Sequence, residues 1–299
     1  MSARATARVG RRVGIVLLML LILARPGWGH ETVRIRSSSL DVVVVVDRTR
    51  SMIAQDGPGH RPRLDLVRRD LRSLAGALPG VRFAAVSFGG EVVRTELPFT
   101  TDVAAFDAFV DALQVEGQYD GVGSRIDAPL RTVSRLLAED AGSHPDRRRI
   151  VVLVSDGENT APGDQASFVP WTTHADGGVV LGYGTTPGGP MLQDQDRPSE
   201  GYVSDPSDPG QDAISHYDGD NLAEVADQLD VKLVHRTDAD QAEIRAIATG
   251  FGADERDSRR TTRTRAERTY VFALGLLPLL AAELWSQRRA ARRARELLR

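Results

Sequence analysis

Five consecutive valines stand in the segment LDVVVVVDRTRSM, which covers residues 40–52. A run of β-branched residues without polar alternation predicts a central parallel strand that is covered on both faces. The run ends in Asp47, and hydroxyl residues follow at alternate positions. A second run, IVVLVSDGENT at residues 150–160, ends in the same way with Asp156. Both segments predict buried strands with polar side chains at their carboxyl ends.

Helical periodicity separates the predicted strands. Apolar residues recur at steps of three and four over residues 63–78, which predicts an amphipathic helix that ends at Pro79 and Gly80. Strands at residues 81–88 and 92–99, joined by a glycine turn, predict a hairpin at a sheet edge. The same signals predict helices around Phe106, Val133, Val225 and Ile244, and strands at residues 179–183 and 231–235. Asp102 can cap the first of these helices, and Asp238 with Gln241 resembles a capping box for the last.

The order of these elements predicts an α/β fold with a doubly wound, mainly parallel sheet and one antiparallel edge hairpin. Strands alternate with helices along the chain, and right-handed crossovers place the helices on both faces of the sheet. Residues 194–218 are rich in Asp, Pro, Ser and Gly, which predicts a long surface loop whose acids are solvated. We expect one domain, residues 38–252, because 299 residues with 41% hydrophobic content can bury one sizeable core between two tails.

Oxygen ligands for a cation are predicted at the carboxyl end of the sheet, where ligands bind in open α/β folds. Asp47, Thr49 and Ser51 offer a carboxylate and two hydroxyls that converge on one point. Such hard oxygen ligands suit a small dication such as Mg²⁺. The alternative is that Asp47 and Ser51 only cap the following helix. A third segment, GVGSRIDAPL at residues 121–130, places Ser124 in a glycine-rich turn before a helix.

Together these three segments resemble the metal-ion-dependent adhesion site of von Willebrand factor type A domains. In that family a D-x-S/T-x-S loop, a loop threonine or serine and a strand-end aspartate surround one divalent cation. The resemblance implies Mg²⁺, or else Mn²⁺ or Ca²⁺, bound by Asp47, Thr49, Ser51, Ser124 and Asp156. Asp120 and Asp127 lie near Ser124 and could supply oxygens in its place. Arg48 and Arg50 alternate with the ligands, so we expect their side chains to point away from the cation.

Composition and charge exclude several classes of function. The net charge is −3, and the arginines gather at the two ends of the chain, which predicts no nucleic-acid partner. The chain contains no cysteine, which excludes disulfides, thiolate zinc sites and thiol catalysis. The cellular compartment therefore has to be inferred from the two ends.

The amino-terminal end predicts a membrane segment over residues 1–29. An apolar run at residues 13–24 follows four arginines, Arg4, Arg8, Arg11 and Arg12. This pattern is typical of a secretory signal peptide or a signal anchor. The sequence does not decide whether the segment is cleaved off. Gly27 and Gly29 offer small residues at a plausible cleavage spacing, but no A-x-A pattern is present.

The carboxyl-terminal end predicts a transmembrane helix over residues 270–285. These 16 residues would span about 24 Å as a helix, which is short for a bilayer, and they include Pro278 and Glu283. Tyr270 and Trp285 bracket the segment like interface anchors, although an interfacial or core helix is the alternative. Basic segments flank it, a linker at residues 253–269 and a tail at residues 286–299.

The four amino-terminal arginines predict that the amino terminus is cytoplasmic. The central domain is then extracytoplasmic, and the tail returns to the cytoplasm of a protein held in the cell membrane. The segments LARPGWG, SFGGEVVRTELPFTTD, LVSDGENT and GTTPGGPM resemble the Bat (aerotolerance-associated) branch of von Willebrand A proteins. In that branch the domain hangs between membrane helices, so the resemblance implies other Bat-like membrane proteins as partners.

The sequence predicts a binding module and no enzyme. It contains no G-x-x-x-x-G-K-S/T, G-x-S-x-G or H-E-x-x-H motif. The D-x-T at Asp47 lacks the second carboxylate that haloacid-dehalogenase phosphatases use. We therefore expect a membrane-anchored, metal-dependent module that binds a partner protein through an Asp or Glu, within a membrane assembly or envelope-protein maturation system. The alternatives are a metal-dependent hydrolase, and a structural membrane protein with a vestigial metal site, which Arg48 and Arg50 would favour.

Overall fold

The computed structural model describes residues 3–24, 37–90, 92–117, 123–252, 255–256 and 269–296. It divides into two compact units. The larger unit comprises residues 36–257, and the smaller one combines residues 1–35 with residues 258–299. The predicted Asp120 lies outside the described residues.

The secondary structure follows the predicted alternation of strands and helices. The strands are β1 (Ser37–Ser38), β2 (Leu40–Asp47), β3 (Arg82–Gly89), β4 (Val92–Thr100), β5 (Arg148–Ser155), β6 (Gly178–Tyr183), β7 (Gly189–Pro190), β8 (Ile214–Ser215), β9 (Lys232–Arg236) and β10 (Glu255–Arg256). The helices are α1 (Ala3–Ala24), α2 (Arg63–Ala77), α3 (Val103–Ala112), α4 (Leu130–Ser143), α5 (Gly219–Leu229), α6 (Gln241–Gly250) and α7 (Thr269–Glu296). Short 3₁₀ turns occupy Arg50–Ile53, Val169–Thr173 and Pro198–Glu200.

The main sheet has six strands in the order β4-β3-β2-β5-β6-β9. The β3–β4 pair is antiparallel, and the other four pairs are parallel. The predicted parallel sheet with one antiparallel edge hairpin is thereby confirmed. The two aspartate-terminated strands, β2 and β5, are neighbours at the centre of the sheet.

The valine run is apolar throughout because it faces two cores. Val42, Val44 and Val46 pack with α2, α3 and α6 on one face, while Val43 and Val45 pack with α4 and α5 on the other. All five valines are 0% exposed. Burying a side chain of this kind contributes about 1.5–3 kcal/mol, so both faces favour the same strand. The sheet is doubly wound, as predicted.

A buried carboxylate stands at the amino-terminal end of the same strand. Asp41 accepts hydrogen bonds from Nε and Nη2 of Arg82, at 2.8 and 2.7 Å. It also accepts hydrogen bonds from Nε and Nη2 of Arg147, at 2.7 and 2.6 Å. Both arginines lie on segments adjacent to β2, so Asp41 joins three parts of the chain.

Residues 194–218 are less of a free surface loop than predicted. Strand β8 lies within this segment and pairs with β7, which precedes the segment, and Ser215 is buried. Ala213 accepts a hydrogen bond from the Met191 backbone N–H and donates one to Val203. Arg50 Nη2 donates to the carbonyls of Leu192 and Gln193, at 2.9 and 3.0 Å. Residues 192–193, directly before the segment, therefore contact the first predicted ligand loop.

The smaller unit contains α1 and α7. Of the described helices, α7 alone is long and apolar enough to cross a membrane, over Tyr270–Arg289 with a mean hydropathy of 1.3. The apolar part of α1 is shorter and follows Arg11 and Arg12 directly. A second flanking membrane segment therefore stays a prediction.

Candidate metal centre

The predicted ligands meet at the carboxyl ends of β2 and β5. Asp47 is the last residue of β2, and Asp156 directly follows β5. Asp47 and Asp156 are 1% and 0% exposed. The residue after Asp156 has to be glycine, because Gly157 has φ +87° and a Cβ there would lie 2.3 Å from the Asp218 carbonyl oxygen. The chain can turn back over the sheet at this point only with glycine.

Hydroxyls connect the two carboxylates. The Thr49 backbone N–H and Oγ1 both donate to Asp47 Oδ1, at 2.9 and 2.6 Å. Thr49 Oγ1 lies 2.8 Å from Ser51 Oγ, which also approaches Asp156. Ser155 Oγ donates to the second oxygen of Asp47 at 2.6 Å. Asp47, Thr49, Ser51 and Asp156 thus form one continuous polar chain, and all four are buried.

This polar chain has one hydrogen too few when both carboxylates are ionised. Thr49 gives its hydroxyl hydrogen to Asp47. Ser51 has a single hydroxyl hydrogen, which can serve Thr49 or Asp156 but not both. A proton on one carboxyl group resolves the shortage, and so does a cation that binds the hydroxyl lone pairs. The cluster is suited to hold either one.

A buried arginine contacts the second carboxylate. Arg63 is 1% exposed, and its Nη1 donates to Asp156 Oδ2 at 2.7 Å and to Ser215 Oγ at 2.8 Å. Its Nε and Nη2 bind the two oxygens of Asp56 at 2.7 and 2.8 Å, and Nη2 also donates to the Ser215 carbonyl at 2.9 Å. Arg63 therefore links the start of α2, the strand-end aspartate and β8.

Arg63 was not among the predicted site residues, although the sequence carries a signal for it. Arg63 is the first residue of α2, directly after Pro62. Cations are unfavourable at a helix amino terminus, because the exposed N–H groups carry partial positive charge. An arginine at that position therefore indicates a specific anionic partner.

The electrostatics of the two carboxylates are those of a crowded anionic pair. Burial raises the pKa of Asp47 to about 7, assisted by the charge of Asp156 and opposed by hydrogen bonds from Ser155 and Thr49. Burial also raises the pKa of Asp156, and the charge of Arg63 opposes that rise. Glu158, at the rim, has a raised pKa because of burial and the charge of Asp156. Added positive charge would stabilise the ionised pair.

Ser124 lies in a neighbouring loop and makes different contacts. Its Oγ is 3.1 Å from Thr160 Oγ1, and its carbonyl accepts hydrogen bonds from the N–H groups of Thr160 and Ala161. No hydrogen bond within the described residues joins Ser124 to the four-residue chain. Its alternative, Asp127, is held by Arg125 at 2.9 and 3.0 Å and by the Ala166 N–H at 2.7 Å. Ser124 remains the better candidate for a ligand from this loop.

The two arginines of the first loop point elsewhere. Arg50 holds the backbone of residues 192–193, as described above. Arg48 lines an open groove of about 440 Å³ between β4 and α3, together with Arg94 and Phe109. Neither guanidinium hydrogen bonds to Asp47 or Asp156 in the part of the chain that the structure describes. The expectation that these side chains point away from the carboxylates is met.

The residues present fit a hard dication. When all three are ionised, Asp47, Asp156 and Asp56 carry three negative charges against the one positive charge of Arg63, which leaves two unbalanced. The donors are carboxylate and hydroxyl oxygens, the ligand type that Mg²⁺, Mn²⁺ and Ca²⁺ prefer. Among the described residues, no three His, Cys, Asp or Glu side chains cluster closely enough to hold a metal. An ion here would therefore depend on the hydroxyls and on water.

Comparisons with known proteins agree with this architecture. Residues 42–158 match the von Willebrand factor type A domain family. An aerotolerance-related membrane protein from Bacteroides fragilis, crystallised with multiple mutations to serines, is 20% identical, with a TM-score of 0.59 over 71% of this chain and 98% of that one. The conserved hypothetical protein BatB from Bacteroides thetaiotaomicron is 21% identical, with a TM-score of 0.58 over 71% and 97%. At these identities the likeness shows a shared fold. No curated protein matches the sequence.

Proposed function

The chain carries a von Willebrand factor type A domain, and from this premise we propose that it is a divalent-metal-dependent protein-binding module anchored in the cell membrane. The ion would be held by Asp47, Thr49, Ser51, Ser124 and Asp156. We propose Mg²⁺ in preference to Mn²⁺ or Ca²⁺, because Mg²⁺ keeps several of its waters and an ion at this site would depend partly on water.

The observation that carries this proposal is the buried chain from Asp47 to Asp156, which is short of one hydrogen and has an excess of negative charge. Three of the five ligands are neutral hydroxyls, so a bound dication would keep part of its charge for a further ligand. A hard cation prefers an oxygen anion in that position. The ion would therefore supply electrostatic attraction for an aspartate or glutamate of a partner protein.

A catalytic role is disfavoured by burial. Asp47 is 1% exposed, and both of its carboxylate oxygens already accept short hydrogen bonds. The carboxylate therefore cannot reach the carbon or phosphorus atom of a substrate. The proposal is accordingly a binding module without an activity of its own. Turnover of a phosphoester, peptide or glycan panel by the purified protein in Mg²⁺ would support the hydrolase alternative instead.

Mg²⁺ is expected to raise the melting temperature of the protein. An ion that binds only the folded state, at about 100 times its Kd, adds about 2.7 kcal/mol. Differential scanning fluorimetry with and without MgCl₂, together with calorimetric titration, measures this effect. Asp47→Ala should abolish the shift, whereas the exposed Asp208→Ala should leave it intact. An equal shift in both variants would show that the ion binds elsewhere, and no shift in the native protein would mean a vestigial site.

Partner capture is expected to depend on the ion. The chain, tagged and extracted in detergent, should retain its partner in Mg²⁺ and lose it in EDTA, because the partner carboxylate would bind through the metal. We propose that this partner is another component of a Bat-like membrane assembly or an envelope protein under maturation. Asp47→Ala should match the EDTA result, with Asp208→Ala as the control. An identical set of captured proteins in Mg²⁺ and EDTA would contradict a metal-bridged contact.

The central domain is expected to lie outside the cytoplasm. Four arginines precede the first apolar segment, and arginines favour the cytoplasmic side of a membrane. Compartment-sensitive reporters fused after Gly250 and after Arg299 should therefore report opposite sides. Reporters on the same side would show that residues 270–285 do not span the membrane.

A further inference from the structure

An acidic side chain lies near the carboxyl end of the apolar part of α7 and meets two arginines of α1. Glu283 Oε2 accepts hydrogen bonds from Arg11 Nε at 2.7 Å and from Arg11 Nη2. Glu283 Oε1 accepts one from Arg12 Nε at 2.9 Å. Ser286 Oγ accepts a further bond from Arg11 at 2.7 Å. The Glu283 side chain is only 12% exposed, so the arginines surround it.

Each helix has one covered stripe, and these stripes face each other. On α1 the covered positions recur at helical spacing and are Arg11, Gly14, Ile15, Leu18 and Ile22. On α7 they are Phe272, Leu276, Leu279, Leu280, Ala282, Glu283 and Ser286. The remaining large apolar side chains are exposed, among them Leu23 at 81% and Leu274 at 64%. Lipid is the environment that tolerates so much exposed apolar surface around a helix pair.

Two glycines bring the helices close together and show their direction. A Cβ on Gly14 would lie 3.5 Å from Leu279 Cδ1, and a Cβ on Gly275 would lie 3.8 Å from Leu18 Cδ1. With the Arg11–Glu283 contact, the partners on α7 fall in number as those on α1 rise. The two helices are therefore antiparallel, which puts Ala24 and Thr269 at the same end of the pair.

We propose that α1 is retained in the mature protein as the permanent antiparallel partner of α7, fixed by the Arg11–Arg12–Glu283 ion cluster. An ionised side chain within a membrane helix is unfavourable, so Glu283, two residues before the end of the apolar segment 270–285, is stabilised by a countercharge at its own level. Within the described residues, Arg11 and Arg12 are the cations that bind Glu283. Cleavage after α1 would remove both.

The proposal decides between the signal peptide and the signal anchor that the sequence leaves open. It rests on the membrane part of the proposed function and is independent of the metal centre. The predicted topology is also consistent with it, because antiparallel pairing places Arg11 and the arginines after Glu283 on one side.

Cysteine cross-linking in the full-length protein tests the pairing, because the native chain has no cysteine to interfere. The test pair is Gly14→Cys with Leu279→Cys, whose parent residues are in contact. The control pair is Leu17→Cys with Leu277→Cys, which are 55% and 62% exposed. Isolated membranes are treated with a mild oxidant or a short bis-maleimide, and tags at both termini report whether each end is present. We expect an intramolecular cross-link in the test pair that exceeds the control several-fold, with both tags retained.

The ion cluster is tested in the same background. Glu283→Gln, and Arg11→Gln combined with Arg12→Gln, should each lower the cross-linked fraction several-fold. Arg8→Gln, outside the cluster and exposed, should leave it unchanged. Arg11→Lys with Arg12→Lys keeps the charges and should preserve most of the cross-link. Its cross-link shows that a protein changed at both arginine positions still inserts.

Four outcomes overturn the proposal. Loss of the amino-terminal tag from membrane-bound protein means that α1 is removed, although membrane anchoring by α7 still stands. Equal cross-linking of the test and control pairs means that the helices do not pack by these stripes. Cross-linking that survives Glu283→Gln means that the ion cluster does not fix the pair. Recovery of the protein in the soluble fraction would contradict the membrane part of the proposed function as well.

Discussion

Replacing Arg63 with methionine is expected to lower the free energy of unfolding of the central domain by about 3–5 kcal/mol, the usual effect of breaking a buried ion pair from one side. Methionine fills much of the arginine volume but leaves Asp56 and Asp156 without their counterion. Three segments lose their common donor: the loop at Asp56, the end of β5 and β8. Urea unfolding of the native and variant proteins, followed by circular dichroism, gives the difference.

Two variants provide controls for the Arg63 measurement. Arg197 also forms two ion pairs, with Asp194 and Glu200, but its side chain is 65% exposed, so Arg197→Met should change stability by less than about 1 kcal/mol. Arg63→Lys keeps the charge but cannot bind Asp56 bidentately, so it should recover only part of the loss. A stability loss for Arg63→Met no larger than that for Arg197→Met would contradict the role given to Arg63.

The metal-free domain is expected to lose stability as the pH rises from about 4 to about 7. The pKa of Asp47 is 3.8 in its ordinary state and about 7 in the fold, because burial and Asp156 disfavour the anion. Between these values the folded state holds a proton that the unfolded state releases, so each rise in pH favours unfolding. The difference between these two pKa values lowers the free energy of unfolding by about 4 kcal/mol, and the full loss is reached above pH 7. Asp156, whose pKa is also raised, acts in the same direction.

Thermal melts in EDTA at pH 5 and pH 8, repeated with Mg²⁺, test this pH dependence. Mg²⁺ should stabilise the domain more at pH 8 than at pH 5, because it replaces the lost proton. Asp47→Asn should flatten the slope in EDTA, since the amide does not titrate. Asp41 provides an internal check: burial would raise its pKa, yet the bonds from its arginines lower it, so its contribution is lost only below about pH 4. Stability that rises from pH 5 to pH 8 in EDTA would contradict the pKa given for Asp47.

The fold was predictable wherever a local pattern had a single explanation. The valine run indicated a strand covered on both faces, and β2 has both of its faces in a core. Asp102 was predicted to cap a helix, and its side chain accepts hydrogen bonds from the N–H groups of Ala104 and Ala105. The last predicted cap was wrong by two residues, because Asp240 caps α6. Asp238 instead accepts a bond from the Asp240 N–H, a local contact that competes with capping.

The candidate site was predictable for residues within one loop and less so for contacts across the chain. The spacing of Asp47, Thr49 and Ser51 was sufficient to predict that their oxygens converge. Arg63 binds partners 93 and 152 residues away, Asp156 and Ser215, and no periodicity encodes such contacts. The packing of residues 194–218 was hidden for a related reason. That segment is held through backbone carbonyls and N–H groups, which every sequence possesses.

The five identical valines of β2 do not by themselves determine which residues of β3 and β5 they pair with. Shifting the strand by two residues would return valine to three of the five valine positions, so the valines alone would hardly distinguish the two pairings. The ends of the strand remove this degeneracy. A shift would take Asp41 away from Arg82 and Arg147, and Asp47 away from Ser155. Burial of the valines therefore stabilises the strand in the sheet. The two carboxylates at its ends select one pairing among those that the valines alone would allow.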